Sequence, residues 1–272
     1  MAVVLDITPY LVAPGAEANL ADRDPDSKQG FDGEKDEGEA ALKPMNAKLA
    51  ELQTRLWAES KQKLLVVLQA MDTGGKDGTI RRVFQGVNPQ GVLVWGFGVP
   101  TEWELAHDYL WRIHQRTPKN GGITIFNRSH YEEVLVARVK DLAPEERWRK
   151  RYRHIVDFER LLVDEGTRVV KLYLHISKEE QKKRLEARLQ EPDKRWKFNV
   201  ADLEDRKLWD DYALAYEEAL TRTSSEHAPW YVVPANRKWY RDLVVASILI
   251  QNLEAMDPQY PPEPDLEGVV VE

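Results

Sequence analysis

Residues 64–79 read LLVVLQAMDTGGKDGT, and the fold of the chain turns on this stretch. The apolar run 64–68 has the length of a buried strand. It passes into a turn carrying Gly74 and Gly75, then Lys76, then a helical pattern with Ile80, Val83, Phe84 and Val87. Strand, glycine turn, lysine and helix is the order that cradles a phosphate. Backbone N–H groups curl around the anion, and the positive helix end and the ammonium add charge. Glycine is required where the backbone closely approaches phosphate oxygens or takes a positive φ. Against the pattern G-x-x-x-x-G-K-[ST], Ala70 stands for the first glycine and Asp77 for the metal-binding hydroxyl. Gly74, Gly75, Lys76, Asp77 and Gly78 form the candidate phosphate loop, with Arg81 and Arg82 on the helix behind it. Carboxylates at Asp72 and Asp77 beside the lysine fit a divalent cation near the phosphate. They read equally well as helix caps, and the two arginines as a solvated helix face.

Outward from the loop, strand patterns recur at 91–97 (GVLVWGF), 123–126, 168–176 and 230–233, with helical patterns between them. Thr101 with Glu104 and Ser129 with Glu132 have the spacing of capping boxes, so the strands before them feed directly into helices. Ser177 with Glu180 caps a further helix that stops at Pro192. Strands alternating with helices predict an α/β fold: a three-layer α/β/α arrangement with a five-stranded parallel sheet. Ligands of such sheets bind beyond the carboxyl ends of the strands. The phosphate loop and Asn127-Arg128 both fall there and are expected to face one crevice.

The expected organisation is an N-terminal arm and loosely held loop over 1–43, an α/β domain over 44–260 whose helical pattern begins at Pro44, and a surface tail over 261–272. Within the domain, Arg184 and Arg188 fall four residues apart on the helix capped by Ser177, before a charged segment containing Lys194. That spacing also suits pairing with glutamates on an exposed helix. At 272 residues with 42% hydrophobic and 31% charged residues, the composition is globular. A net charge of −7 argues against a general nucleic-acid binder. With no cysteines, disulfides and thiolate metal sites are excluded. No apolar run is long enough to span a bilayer, so a cytoplasmic protein without a membrane partner is expected.

The runs AMDTGGKDGTIRRVF, FGVPTEWELAHDYLWRIH, FNRSHYEEVLVARV and KRWKFNVADLEDRKLWDDY resemble the polyphosphate kinase 2 family, and most closely its class III members. The resemblance covers roughly residues 44–260 and implies a P-loop-kinase-like domain there, with a helical lid over about 178–210. It implies transfer of the terminal phosphoryl group of inorganic polyphosphate to AMP and ADP, with GMP and GDP as further candidate acceptors. Mg²⁺ is the implied cofactor, with Mn²⁺ as an alternative. Asp72, Lys76 and Arg128 are the implied catalytic residues, and Asp72, Asn127 and Glu132 the implied metal-site residues. Asn127, Arg128, Arg184, Arg188 and Lys194 are the implied acceptor and lid residues. A homo-oligomer, dimer or tetramer, is the implied assembly. An ATP-dependent nucleoside monophosphate kinase is the nearest rival reading, which Asp77 in place of a hydroxyl disfavours. A silent anion-binding module is the other, and carboxylates beside a phosphate disfavour that one.

Overall fold

The strand at the centre of the sheet, Lys63–Ala70, is buried at every position after Lys63, because helices cover both of its faces. The computed structural model describes residues 3–265 and, beyond them, 267, 269 and 271. The strands in chain order are β1 (Leu11–Val12), β2 (Lys63–Ala70), β3 (Val92–Gly96), β4 (Ile123–Asn127), β5 (Thr167–His175) and β6 (Trp230–Pro234). They form one sheet in the order β1-β6-β5-β2-β4-β3, with β2 to β6 parallel and β1 antiparallel to β6. The sheet therefore has six strands rather than the five expected. The extra strand is two residues long, too short for a periodic signal, and pairs through Leu11 and Val12 with Tyr231 and Trp230.

The helices are α1 (Lys35–Glu59), α2 (Lys76–Val83), α3 (Glu102–Leu105), α4 (Trp111–His114), α5 (Val136–Val139), α6 (Glu145–Asp164), α7 (Lys178–Gln190), α8 (Ala201–Lys207), α9 (Trp209–Thr223) and α10 (Lys238–Met256). Helices α1, α2 and α10 pack together against one face of the sheet; α5, α6 and α9 pack together against the other. This is the three-layer arrangement. Helix α10 is buried along most of its length, from Trp239 to Ile250, between α1 and the sheet. Among the described residues no helix is long and apolar enough to cross a membrane.

Three local readings differ from the structure. Helix α1 starts at Lys35, not Pro44; Glu37 accepts a hydrogen bond from the Glu34 N–H at 2.7 Å, and the helix runs on through Pro44. An early proline suits a helix's first turn, which is why its position reads as a start. The charged stretch before α1 is held rather than loose. Ala18 and Leu20 are buried, the Arg23 guanidinium donates to the carbonyls of Ala18 (2.8 Å), Pro9 (3.1 Å) and Leu11 (3.1 Å), and Glu217 accepts from the N–H groups of Asn19 and Leu20. Composition hides such anchors because they are polar and distant in sequence. The capping box at Thr101 and Glu104 forms, but its helix ends at Leu105 and α4 follows separately. Residues 1 and 2 of the arm, and 266, 268, 270 and 272 of the tail, lie outside the described residues.

Candidate active site

The carboxyl end of β2 runs into the glycine turn at the middle of the sheet. Thr73 has φ 61° and Gly75 φ 101°, so the chain reverses through the left-handed region before α2 begins at Lys76. A side chain on Gly74 would come within 2.7 Å of the Met71 carbonyl oxygen, so the turn closes only with glycine there. Lys76 Nζ donates back to the Ala70 carbonyl at 3.1 Å, which lays the ammonium across the turn. Burial and the nearby Arg128 charge pull the Lys76 pKa below its ordinary value, while Asp72, Glu132 and Asp77 oppose that shift.

The register of β4 against β2 sets Asn127 beside Leu68, and the Arg128 N–H bonds to the Leu68 carbonyl at 3.2 Å. Arg128 therefore leaves the sheet next to the turn, in a left-handed conformation with φ 64°. Such a conformation in a non-glycine residue costs energy and persists only where its surroundings hold it. Its neighbours supply that hold. His130 and Tyr131 are fully buried and bond to Glu159, which is itself ion-paired with buried Lys171 at 2.7 Å.

Arg128 Nη2 then donates to Asp72 Oδ1 at 2.9 Å, and Asn127 Nδ2 to Asp77 Oδ1 at 2.6 Å, bringing strand end and loop together as expected. Burial works against the Arg128 charge, but Glu132 and Asp72 outweigh it and raise its pKa. The Ser129–Glu132 capping box does not form. Ser129 accepts instead from the Tyr131 N–H, and the Glu132 carboxylate accepts from Gln69 at 3.1 Å. Burial lifts the Glu132 pKa, partly offset by Arg128 and Lys76.

Helix α7 closes the third side. Ser177 caps it by accepting from the Glu180 N–H at 3.1 Å, and the Glu180 carboxylate pairs with Arg184 at 2.7 Å rather than reaching back. Arg184 is only 8% exposed and donates to the carbonyls of Thr73 (3.1 Å), Ala235 (2.6 Å) and Asn236 (3.1 Å). Gln181 donates to the Asp72 carbonyl at 3.0 Å. The first turns of α7 are thereby tied to the glycine turn and to the segment before α10. Farther out, Arg188 pairs with Asp202 at 3.2 Å and Lys194 with Glu191.

These elements enclose a cleft of about 1080 Å³, large enough for a nucleotide beside a phosphate chain. Eleven lysines and arginines but only six carboxylates line it, so the cleft is strongly positive inside a chain of net charge −7. Field focusing in such a cleft draws in polyanions whatever the total charge. Asp72, Gly74, Gly75, Lys76, Asp77, Gly78, Arg81, Arg82, Asn127, Arg128, Arg184, Arg188 and Lys194 all line it. Glu132 does not; it lies behind Arg128. Sequence reasoning missed Phe97 and Gly98 beyond β3, and Lys183, Asp202, Lys238 and Arg241. The last two follow the β6 strand end, and that position was the available signal for them.

Among the described residues no group of three or more His, Cys, Asp or Glu could hold a metal ion alone. The donor set does fit a cation that phosphate oxygens help to bind. Asp72 and Asp77 flank the cradle, and the Asn127 amide oxygen receives no hydrogen bond among the described residues. Few carboxylates, with phosphate and water completing the shell, is the usual Mg²⁺ arrangement at phosphoryl-transfer sites.

A sequence profile described as Polyphosphate kinase 2 matches residues 32–261. The chain belongs to the polyphosphate kinase 2 family. Among curated members of the family, it is 58% identical to an AMP/ADP-polyphosphate phosphotransferase of Meiothermus ruber over 264 residues, covering 97% of this chain and 99% of the relative. It is 46% identical to an ADP-polyphosphate phosphotransferase of Rhodopseudomonas palustris, covering 81% of this chain and 80% of the relative. The crystal structure of polyphosphate kinase 2 from Arthrobacter aurescens TC1 superposes with a TM-score of 0.92 at 44% identity, covering 96% of this chain and 94% of the other.

Proposed function

We propose that the protein transfers the terminal phosphoryl group of inorganic polyphosphate to AMP and to ADP, giving ADP and ATP. The observation that carries this reading is the convergence of the glycine turn, Lys76 and Arg128 on one strongly cationic cleft. The similarity to AMP/ADP-polyphosphate phosphotransferases across nearly the whole chain supports it.

In the reaction, an oxygen of the acceptor's terminal phosphate forms a bond to the terminal phosphorus of the chain. The bridging P–O bond breaks, and the electron pair leaves with a polyphosphate one unit shorter. The attacking oxygen is already deprotonated at neutral pH, so no general base is needed. The work of the protein is alignment and charge neutralisation. The turn N–H groups and Lys76 hold the transferring group, while Arg128, fixed by Asp72 and Glu132, offers a planar guanidinium to its equatorial oxygens. Asp72 and Asp77, with the Asn127 amide oxygen, would hold Mg²⁺, or Mn²⁺ in its place; the bound ion would neutralise charge shared between donor and acceptor phosphates. Glu132, buried against Gln69, acts as a partner that orients Arg128 rather than as a primary ligand.

The test is nucleotide chromatography of the purified protein with AMP or ADP and Mg²⁺, with polyphosphate or ATP as the donor. ADP from AMP and ATP from ADP, each dependent on polyphosphate, are expected. Turnover of AMP with ATP and none with polyphosphate would overturn the reading in favour of a nucleoside monophosphate kinase.

A further inference from the structure

The most constrained cation of the cleft lies outside every motif considered so far. Arg241, on the first turns of α10, is 1% exposed, yet it lines the cleft beneath the glycine turn. Its Nε and Nη2 both donate to Asp242 Oδ1, at 2.9 and 2.6 Å. Nη1 has no hydrogen-bond partner among the described residues, and it occupies the place where a side chain on Gly75 would begin. Gly78 also leaves its face open toward the same guanidinium, 3.7 Å from where its Cβ would be.

Charge around Arg241 is unbalanced. Asp242 is shared with Arg82, whose Nε lies 2.8 Å from Oδ2, so one carboxylate serves two guanidiniums. Lys238 and Arg184 stand close by on the same side; burial and then the Arg184 charge pull the Lys238 pKa down, and Arg241 adds to the effect. Arg184 has Glu180, but Lys238 has no ion-pair partner among the described residues. A buried arginine whose Nη1 is unpartnered among the described residues, set among other cations, is an arrangement that an anion would stabilise.

We propose that Arg241 is a phosphate-binding residue, donating from Nη1 through the gap left by Gly75 to a phosphoryl group of an inorganic phosphate chain seated on the Gly74–Lys76 turn. Lys76 would hold that group from the turn and Arg241 from below it. This accounts for glycine at position 75 beyond its φ of 101°, because any side chain there would displace Nη1. It also gives Asp242 a role: it fixes the guanidinium through Nε and Nη2 and leaves Nη1 for the ligand. The proposal rests on the polyphosphate reading of the cleft.

The experiment is calorimetric titration of the full chain with inorganic tripolyphosphate, and separately with AMP, for the parent and Arg241→Met. Removing one arginine from a buried pair can unfold a protein by stranding its partner, so Arg241→Met/Asp242→Asn, which removes both charges, is carried in parallel. Folding is checked by thermal melting. The expected result in the folded variant is a loss of tripolyphosphate affinity of roughly ten- to hundredfold, the worth of a charge-assisted hydrogen bond. AMP affinity stays within about twofold, the scatter expected for a contact left untouched. Unchanged tripolyphosphate affinity in either folded variant, or equal losses for both ligands, overturns the assignment of Arg241. A parent that neither binds tripolyphosphate nor uses polyphosphate as donor would instead overturn the reading beneath it.

Discussion

Asn127→Asp is the substitution whose consequence follows most directly from the geometry. The amide of Asn127 donates to Asp77 Oδ1 at 2.6 Å, so an aspartate there places one carboxylate against another. With charge centres about 4 Å apart, the repulsion is about 1 kcal/mol in bulk water and about 4 kcal/mol at an effective dielectric constant of 20. Asp77 is exposed, so the lower part of that range applies, about 1–2 kcal/mol, or about five- to thirtyfold in an equilibrium or rate ratio. The added charge acts on whichever acceptor phosphate comes nearest. Both acceptors bring a phosphate to the same reacting position, but ADP has a second phosphate for the cleft's cations to hold, whereas AMP has only the one that meets the added charge. AMP is therefore penalised more.

The assay is initial rates over a range of AMP and of ADP concentrations with saturating polyphosphate. The kcat/KM for AMP should fall by about fivefold or more, the lower end of the electrostatic range, and that for ADP by less, so that their ratio falls. Lowering the pH should restore part of it, because one carboxyl of a like-charged pair takes up a proton more readily. A ratio unchanged within experimental scatter, or one shifted toward AMP, would refute the argument that a charge at position 127 discriminates against AMP.

Lys76→Ala should leave the fold intact and reduce kcat/KM by about 2–4 kcal/mol of lost transition-state stabilisation, read by steady-state rates beside a melting curve. Because burial and Arg128 lower the Lys76 pKa, the parent should lose its ammonium at a pH below that of free lysine. Its kcat/KM then falls as pH rises through that value. Its stability rises with pH between the lowered pKa and 10.5, since the unfolded chain binds the extra proton there; Lys76→Ala should flatten both profiles. Asp72→Asn removes the Arg128 partner at 2.9 Å and a candidate metal carboxylate, so rate and apparent Mg²⁺ affinity should fall together in a Mg²⁺ titration. If the curves coincide, Asp72 is only a cap. Arg184→Ala should lower the melting temperature as well as turnover, because it strands three carbonyls at the root of the lid. Arg188→Ala, whose side chain is 24% exposed, should affect turnover far more than stability; equal melting losses for the two would contradict this division of the lid.

What the sequence disclosed follows from which interactions are local. The turn at 74–76 was legible because glycine, lysine and strand-to-helix order are all encoded within a few residues. Its proximity to Asn127 and Arg128 was legible too, because parallel strands in such sheets end at one edge. The true start of α1 was not: Glu34 and Glu37 make an uncommon cap, while Pro44 carries a strong but misleading start signal. Ser129 and Glu132 have capping-box spacing, yet Gln69, on a neighbouring strand, takes the Glu132 carboxylate. Arg184 looked like one of two equivalent lid arginines, and only tertiary contacts with 73, 235 and 236 distinguish it from Arg188. Arg241 gave only the signal of its place after the β6 strand end, because Gly75 is distant in sequence and a single arginine in an apolar helix matches no motif.

The most direct test of the central claim is a single-turnover reaction in which the terminal phosphate of polyphosphate carries the label and AMP is the acceptor. If the glycine turn, Lys76 and Arg128 align donor and acceptor for direct transfer, the label appears in the β-phosphate of ADP and the chain shortens by one unit. Label released as free inorganic phosphate, with AMP unchanged, would contradict the account.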